Sequence, residues 1–464
     1  MAHYQEFDTT REGIFGLEDP EEQRMHHYKH VQPPPSGNLL IIDDMAVRFP
    51  SIPPGEIVQV AARKIFQEVE LGLPPSVLSR VASRLGGNNN FLIMWVIEGP
   101  GLARYPSEMI RVVQDKYLKI LADNRRGPHT IHWHGIEPSS MNDGVGKHSF
   151  EISGGGVEGE GGFFTYQFQP HQAGTFFFHC HKNTVHHFEM GMFGMLIIDP
   201  PTPSVLADPR QATTLLTAPY TTGAAGYAAG RLDVGEPYDP QALNLIRYNQ
   251  EKYWVADDMD AAWHNLVGES HSHNMQDAVE ADPMNPSTFY IYGTATALGS
   301  VELNDFQPDI FAVTGVVLDY GTTGPGGTDL TTPHYFGTVD RSDISINVDV
   351  QVLGHQKILV RFLNAAYSII DLKLPVDATI IAMGGIPLGA TDRTKYSRPY
   401  ILPAGASLGS ITARRFDLII DTENLGVGGG SVSDFATLTY YDWVKGRAGG
   451  KRAEIRIPIN ISNF

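Results

Sequence analysis

Residues 179–195 read HCHKNTVHHFEMGMFGM and contain Cys180, the only cysteine in the 464-residue chain. Histidines flank this cysteine on both sides, and two more histidines and three methionines follow within the same stretch. A thiolate, imidazoles and a thioether are the ligands of blue-copper centres, which use two histidines, one cysteine and a weak axial methionine. The stretch therefore predicts a copper site that takes a further histidine from elsewhere in the chain.

An upstream segment, GPHTIHWHG at residues 127–135, carries three histidines. In a strand, neighbouring side chains point to opposite faces, so His132 and His134 share one face and His129 points the other way. The same alternation places His179 and His181 on one face and Cys180 on the other. We therefore pair His129 with Cys180 in one site, and predict that a second site collects the remaining histidines, which are His132, His134, His179 and His181.

These motifs, HxxHxHG followed by HCH, resemble those of the multicopper oxidase superfamily. The resemblance implies that His129, Cys180, a later histidine and a later methionine are type 1 copper ligands. It also implies that His132, His134, His179 and His181 face a cluster of type 2 and type 3 coppers.

The later histidine and methionine are ambiguous, because two histidines are adjacent and two methionines lie close by. In the family these two ligands are usually five residues apart, and His187 to Met192 fits that spacing. We therefore predict His187 and Met192 as ligands, with His186 beside the site and Met190 as the alternative methionine.

Asp143, in the segment MNDGV, stands where the family has an acidic residue that helps to deliver protons to oxygen. A turn aspartate before a glycine is an equally ordinary interpretation of this residue. His148 and His171 have no motif spacing and are predicted to lie at the surface.

Composition narrows the class of protein. Hydrophobic residues make up 42% of the chain and charged residues 19%, which is typical of a globular protein with a full core. The net charge of -18 argues against nucleic acid as a partner. No run of eighteen apolar residues is present, so we predict no transmembrane helix. The first residues do not read as a signal peptide, although the resemblance implies a periplasmic or extracellular location.

The strand-like segments predict an all-β chain of two cupredoxin-like Greek-key β-sandwich domains. We expect an N-terminal arm at residues 1–34, a copper-binding domain at residues 35–203, and a second cupredoxin-like domain without type 1 copper at residues 204–464. Apolar spacing of three and four residues predicts a short helical insertion near residues 60–85.

The second half departs from the family pattern, because it has no second HxxHxH segment and no second cysteine. Its histidines are His264, His271, His273, His334 and His355. Three interpretations follow: an oxidase that completes its cluster between subunits of a homotrimer, a type 1 copper electron carrier without a complete cluster, or a nitrite-reductase-like enzyme. In the first, a loop that holds His264, His271 and His273 would have to supply the missing ligands. His132 stands where nitrite reductases place a catalytic aspartate, which counts against the third. The resemblance implies a small-molecule or metal-ion reductant, with oxygen as the electron acceptor.

Overall fold

A computed structural model describes residues 58–60, 64–85, 91–99, 105–124, 129–136, 138, 142–145, 149, 151–152, 162–182, 184–200, 226–229, 245–270, 306–318, 328–329, 334–335, 345–349, 356–388, 399–422 and 431–462. Within these ranges the chain is mostly strand, with three helices: α1 (Pro75–Val81), α2 (Thr184–Glu189) and α3 (Ala261–Ser270). None of these helices is long and apolar enough to cross a membrane. The predicted arm at residues 1–34 lies outside the described residues.

Two sheets form a first β-sandwich. Its strands are β1 (Val58–Val60), β2 (Lys64–Gly72), β3 (Phe91–Glu98), β4 (Ser107–Val113), β5 (Tyr117–Asp123), β6 (His132–His134), β7 (Phe163–Phe168), β8 (Gly174–His179) and β9 (Phe193–Asp199). One sheet has the order β1-β5-β2-β3, with β7 also paired to β5, and the other has the order β4-β9-β8-β6. The two sheets enclose a core that includes Trp95, Trp133, Phe178 and Cys180.

A second, larger sandwich follows in the chain. The remaining strands are β10 (Gly226–Ala229), β11 (Leu245–Tyr248), β12 (Gln250–Met259), β13 (Ile310–Val313), β14 (Val316–Val317), β15 (Thr328–Asp329), β16 (His334–Tyr335), β17 (Ile346–Asp349), β18 (Lys357–Asn364), β19 (Ile369–Lys373), β20 (Ala378–Met383), β21 (Ile386–Pro387), β22 (Tyr400–Leu402), β23 (Ser407–Ser410), β24 (Arg415–Asp421), β25 (Val432–Asp442) and β26 (Gly446–Ser462). One sheet of the second sandwich has the order β16-β14-β13-β12-β18-β24-β20-β21, with β22 on β20, and the other has the order β15-β26-β25-β19-β23, with β17 on β26. Strands β10 and β11 form a separate two-stranded sheet.

The predicted all-β, cupredoxin-like fold is confirmed. The first sandwich contains the parallel pairs β4–β9, β1–β5 and β2–β5, and the second contains the parallel pairs β12–β18, β15–β26 and β17–β26. The remaining described pairs of the two sandwiches are antiparallel. The crossings that the parallel pairs require distinguish a Greek-key sandwich from a simple meander. The domain limits at residues 34, 35, 203 and 204 stay predictions, because they lie outside the described residues.

The predicted helical insertion near residues 60–85 is only partly right. Residues Lys64–Gly72 form a strand that pairs in antiparallel fashion with β3, and only Pro75–Val81 is helical. Phe66, Val69 and Leu71 are buried in this strand. Phe66 and Val69 are three residues apart, as on a helix, whereas Val69 and Leu71 are two apart, as in a strand. The local pattern was therefore ambiguous, and pairing with the long apolar strand β3 decided the outcome.

The strand that leads to the HCH motif, β8, is buried on both faces. Phe176 and Phe178 of β8 face the core of the first sandwich, whereas Phe177 joins a second apolar cluster together with Val255 and Ala312 of the second sandwich. Alternate side chains of β3 and of β9 likewise belong to the core of the first sandwich and to this second cluster. Because alternate residues face opposite sides, Cys180 enters the inner core while its neighbour His179 faces the junction between the sandwiches.

Buried ion pairs also cross this junction. Arg111 donates to Asp199 at 2.6 and 2.8 Å and to Glu251 at 2.7 Å. Arg361 pairs with the same glutamate and donates to Thr175 Oγ1 of β8 at 2.9 Å. Burial alone would raise the pKa of Glu251, but the two arginines lower it to about 2. The strand that leads to the HCH motif is therefore fixed to the second sandwich by charge as well as by apolar packing.

We expect Arg361→Met to lower the free energy of unfolding by about 3–5 kcal/mol, because it leaves buried carboxylates without their cation. Arg456→Met is the matched control, since Arg456 also pairs with a carboxylate, Glu454, but the two side chains are 43% and 16% exposed. An exposed pair of this kind contributes at most about 1 kcal/mol. Urea unfolding of both variants measures the difference, and equal losses would contradict the structural role given to the buried network.

Candidate metal centre

Three donor atoms converge around the only cysteine. Cys180 Sγ lies 2.9 Å from His187 Nδ1 and 3.7 Å from His129 Nδ1, and the two Nδ1 atoms are 3.3 Å apart. All three side chains are fully buried. Metal bonds of about 2.0–2.3 Å to nitrogen and sulfur place the ligands of one ion about 3–4 Å apart. The donor set and its spacing therefore fit one metal ion.

Three separate segments bring these side chains together. Cys180 directly follows β8, and His187 lies in α2. His129 is held by a β-bridge to Ile152, with N–H···O distances of 3.0 and 2.8 Å in the two directions. Each of the three side chains is thus held in place by a different backbone segment.

The structure brings His187, rather than His186, to the thiol. Met192 N–H donates to His187 O at 2.9 Å, and Met192 O accepts from Cys180 N–H at 3.0 Å, so this methionine joins both ligand segments. Met190 instead accepts from Trp95 N–H at 2.6 Å and donates to His186 O at 2.9 Å. Both methionine side chains are buried in the same core cluster as Cys180.

Aromatic side chains enclose the thiolate site. Phe66 stacks on the His129 ring with centroids 4.8 Å apart. Trp95 meets His129, His186 and His187 edge-on at 6.3, 5.3 and 5.4 Å. Burial raises the pKa of the Cys180 thiol to about 12, so only a bound cation would keep the thiolate deprotonated at neutral pH. The motifs gave no signal for Phe66 or Trp95, which come from distant strands.

A second set of imidazoles lies on the other side of the HCH segment. His132 and His179 are directly opposite each other in the antiparallel pair of β6 and β8. Their ring centroids are 5.2 Å apart, and His134 Nδ1 lies 3.3 Å from His179 Nε2. His181 lies 5.0 Å from the His132 ring. The predicted separation of the histidines into two groups agrees with this geometry.

Backbone carbonyls orient two of these rings. His132 Nδ1–H donates to Asp143 O at 2.8 Å, and His179 Nδ1–H donates to Cys180 O at 2.9 Å. A histidine whose Nδ1 proton is held in this way has the Nε2 lone pair available for a metal. The Asp143 carboxylate lies 3.3 Å from His132 Nδ1, so this aspartate contacts the imidazole site as the sequence suggested.

Three imidazoles of this set, those of His134, His179 and His181, are held neutral. Burial, together with the nearby Arg415, His132 and His181, lowers the pKa of His134 to about 3. Burial also lowers the pKa values of His179 and His181. Neutral imidazole is the form that binds metals.

Arg415 brings a cation from the second sandwich to the imidazole set. Its guanidinium donates to the carbonyls of Gly384 and Ala413, both at 2.7 Å, and lies 5.5 Å from the Phe177 ring. His134 stacks on that same ring at 4.3 Å. No motif indicated this arginine, because only the docking of the two sandwiches places it there.

Among the histidines of the second half, His264 is the one whose side chain the structure describes, and it does not join the imidazole set. His264 was expected to lie in a loop that could supply a ligand, and this was wrong. It lies in α3, fully buried, with Nδ1–H donating to Ile93 O at 2.7 Å and Nε2 3.5 Å from Glu189. The side chains of His271, His273, His334 and His355 lie outside what the structure describes, as does His148. His171 is at the surface as predicted, with its side chain 75% exposed.

Comparison with known proteins agrees with this geometry. Residues 94–203, which hold the thiolate and imidazole sets, match the family model for multicopper oxidases. This segment is therefore similar to a multicopper oxidase domain. Copper is the cofactor that this similarity implies, and the buried sulfur and nitrogen donors around Cys180 are the set that a blue-copper ion uses.

Curated relatives and solved structures are also similar to this chain. Copper resistance protein A of Pseudomonas syringae pv. tomato is 31% identical to it over 113 residues, or 24% of this chain and 17% of that protein. Among solved structures, multicopper oxidase mgLAC is 18% identical, with a TM-score of 0.45 and coverage of 87% of this chain and 86% of that one. The blue copper oxidase from Nitrosomonas europaea is 17% identical, with a TM-score of 0.44 and coverage of 87% and 85%. The chain spans less than a fifth of the length of the curated relative that it matches.

Proposed function

We propose that this chain is a copper-dependent oxidoreductase that takes electrons singly from a reductant and delivers them to dioxygen, which is reduced to water. The observation that carries the proposal is the placement of two donor sets on opposite sides of one tripeptide. Cys180 contributes to the thiolate set, and its neighbours His179 and His181 belong to the imidazole set.

In this proposal His129, Cys180, His187 and Met192 hold a type 1 copper, and His132, His134, His179 and His181 hold part of a type 2 and type 3 cluster. Copper supplies the one-electron redox chemistry. The protein supplies fixed ligand geometry, burial and hydrogen bonding, which together set the properties of the metal. Because Cys180 is bonded to His179 and His181 through the backbone, the two sets are joined by a short covalent connection.

The residues around the imidazole set have separate roles. Asp143 lies against His132 and is placed to pass protons to the oxygen-reducing site. The Arg415 cation stands near the place where reduction of oxygen would develop negative charge, which a fixed cation stabilises. Apolar rings around both sets exclude water and strengthen these electrostatic effects.

The remaining cluster ligands are proposed to come from a neighbouring subunit of a homotrimer, or from histidines outside the described residues. Native mass spectrometry of the copper-loaded protein measures this directly. A trimer whose copper content falls on dissociation supports shared ligands, whereas a monomer with full copper content contradicts them. By resemblance to its relatives, we propose a periplasmic or extracellular location, which cell fractionation can test.

Copper content together with optical and EPR spectra tests the function. About four coppers per chain with both type 1 and type 3 signals, and oxygen uptake with a reductant, would support the oxidase. About one copper with an intense thiolate-to-copper band would favour an electron carrier. About two, with an added type 2 signal, would favour the nitrite-reductase-like alternative. Absence of copper and of the band would refute the proposal.

Copper removal should lower the stability of the protein. A ligand that binds only the folded state at about 1,000 times its Kd adds about 4 kcal/mol to the free energy of unfolding. We therefore expect chelation to lower the Tm by several degrees and to bleach the absorption band, and added copper to restore both. Differential scanning calorimetry of the loaded, stripped and reloaded protein makes the measurement, with zinc as the control for redox-silent binding. An identical Tm in the stripped and loaded protein would contradict a resident metal.

A further inference from the structure

A buried ion pair lies beside the thiolate set. Lys182 Nζ is 3.2 Å from one carboxylate oxygen of Glu151 and 3.4 Å from the other. The two side chains are only 9% and 7% exposed. Lysine and glutamate are almost never buried unless they are paired, and taking both charges out of water is costly. Neither residue is one of the proposed copper ligands.

The pair connects the two segments that supply ligands. Lys182 stands two residues after Cys180, and its carbonyl oxygen lies 3.7 Å from Sγ. Glu151 stands immediately before Ile152, which makes the β-bridge to His129. Asn124 donates its side-chain N–H to Ile152 O at 2.5 Å and so fixes the same short segment. An attraction between Lys182 and Glu151 therefore holds the His129 segment against the Cys180 segment.

The two charges also act on the metal site with opposite signs. A buried carboxylate stabilises the more positive, oxidised state of a nearby metal, and a buried ammonium stabilises the reduced state. Inside the protein such interactions are screened less than at the surface.

We propose that Lys182 and Glu151 are a positioning pair for the type 1 site, which holds its two ligand segments together and sets its reduction potential through two opposed fixed charges. This inference rests on the proposed function, since it requires a type 1 copper at Cys180. A purely structural ion pair would not affect the reduction potential of the copper.

The test is a redox titration of the copper-loaded full chain, followed through the blue absorption band. We expect a higher potential in Glu151→Gln, a lower one in Lys182→Met, and the wild-type value in Lys182→Arg, which keeps the charge. Glu108→Gln is the matched control. Glu108 forms a buried pair with Lys64 at 2.9 Å, but it lies on β4, at the opposite edge of its sheet from β6. We expect its potential to equal that of the wild type.

An intact blue band with an unchanged potential in Glu151→Gln would overturn the proposal, as would an equal shift in Glu108→Gln. If Glu151→Gln does not retain copper, the two lysine variants test the proposal instead. Equal reduction potentials in Lys182→Met and Lys182→Arg would overturn it. A wild-type protein without a blue band would instead overturn the type 1 assignment itself, so the two failures are distinguishable.

Discussion

Replacing Cys180 with serine should abolish the thiolate-to-copper absorption band and the type 1 EPR signal, and lower copper content by about one ion per chain. A serine hydroxyl has nearly the size of the thiol but does not supply the soft anionic sulfur that this site requires. Electron entry would then stop, so turnover with any one-electron reductant should fall by about 10³-fold or more, as for a member of a group that acts as a unit. Optical and EPR spectra, copper analysis and oxygen uptake of the purified variant measure these losses.

His171→Ala is the control for this variant. His171 lies in the same domain, but its side chain is 75% exposed and pairs only with the exposed Asp115. We expect wild-type spectra, copper content and turnover. Circular dichroism should show that Cys180→Ser remains folded, because the substitution changes one buried atom and no backbone support. A blue band that survives in Cys180→Ser would refute the assignment of this cysteine as the copper ligand.

The sequence predicted the two donor groups because strand alternation is a local property. His132 and His134 are two residues apart, and His179 and Cys180 are adjacent, so the faces on which they lie follow from the strand period alone. The spacing of His187 and Met192 likewise selected the residues that the backbone hydrogen bonds join. These predictions needed no knowledge of which strands pair.

Other features depend on long-range packing and could not be read locally. Trp95 reaches the His129 and His187 rings only because β3 and the ligand segments share one core. Arg415 meets the His134 environment only after the two sandwiches dock. Motif analysis could therefore predict most of the donor residues, but it could not predict the side chains that surround the two sites.

Two predictions went wrong, one in part and one fully, for the same reason. Residues 64–72 carry apolar residues whose spacing did not decide between a helix and a strand, and the strand forms because β3 offers a pairing edge. His264 is buried because it packs where Ile93 O accepts from its Nδ1–H and Glu189 lies 3.5 Å from its Nε2. In both cases a partner more than 20 residues away in sequence determined the structure.

The second large effect is expected for His134→Ala, which removes one imidazole from the proposed oxygen-reducing site and leaves the thiolate set untouched. His134 is separated in sequence from Cys180 and contacts His179 across the strand pair. We expect the blue band to remain and to bleach when a reductant is added, because the type 1 ligands are all present. Reoxidation by dioxygen should fail, and steady-state turnover should fall by about 10³-fold or more.

Anaerobic reduction followed by stopped-flow mixing with oxygen separates these two half-reactions. The wild type should bleach and then recover its blue colour, whereas His134→Ala should bleach and stay colourless, with copper content lowered by at least one ion per chain. Asp143→Asn should give an intermediate result, since it keeps all the imidazoles and removes only the carboxylate beside His132. Its copper content should be that of the wild type, while recovery becomes slower. Recovery of His134→Ala at the wild-type rate would mean that oxygen is not reduced at these histidines. The chain would then pass its electrons to another acceptor, and the same thiolate geometry would serve an electron carrier.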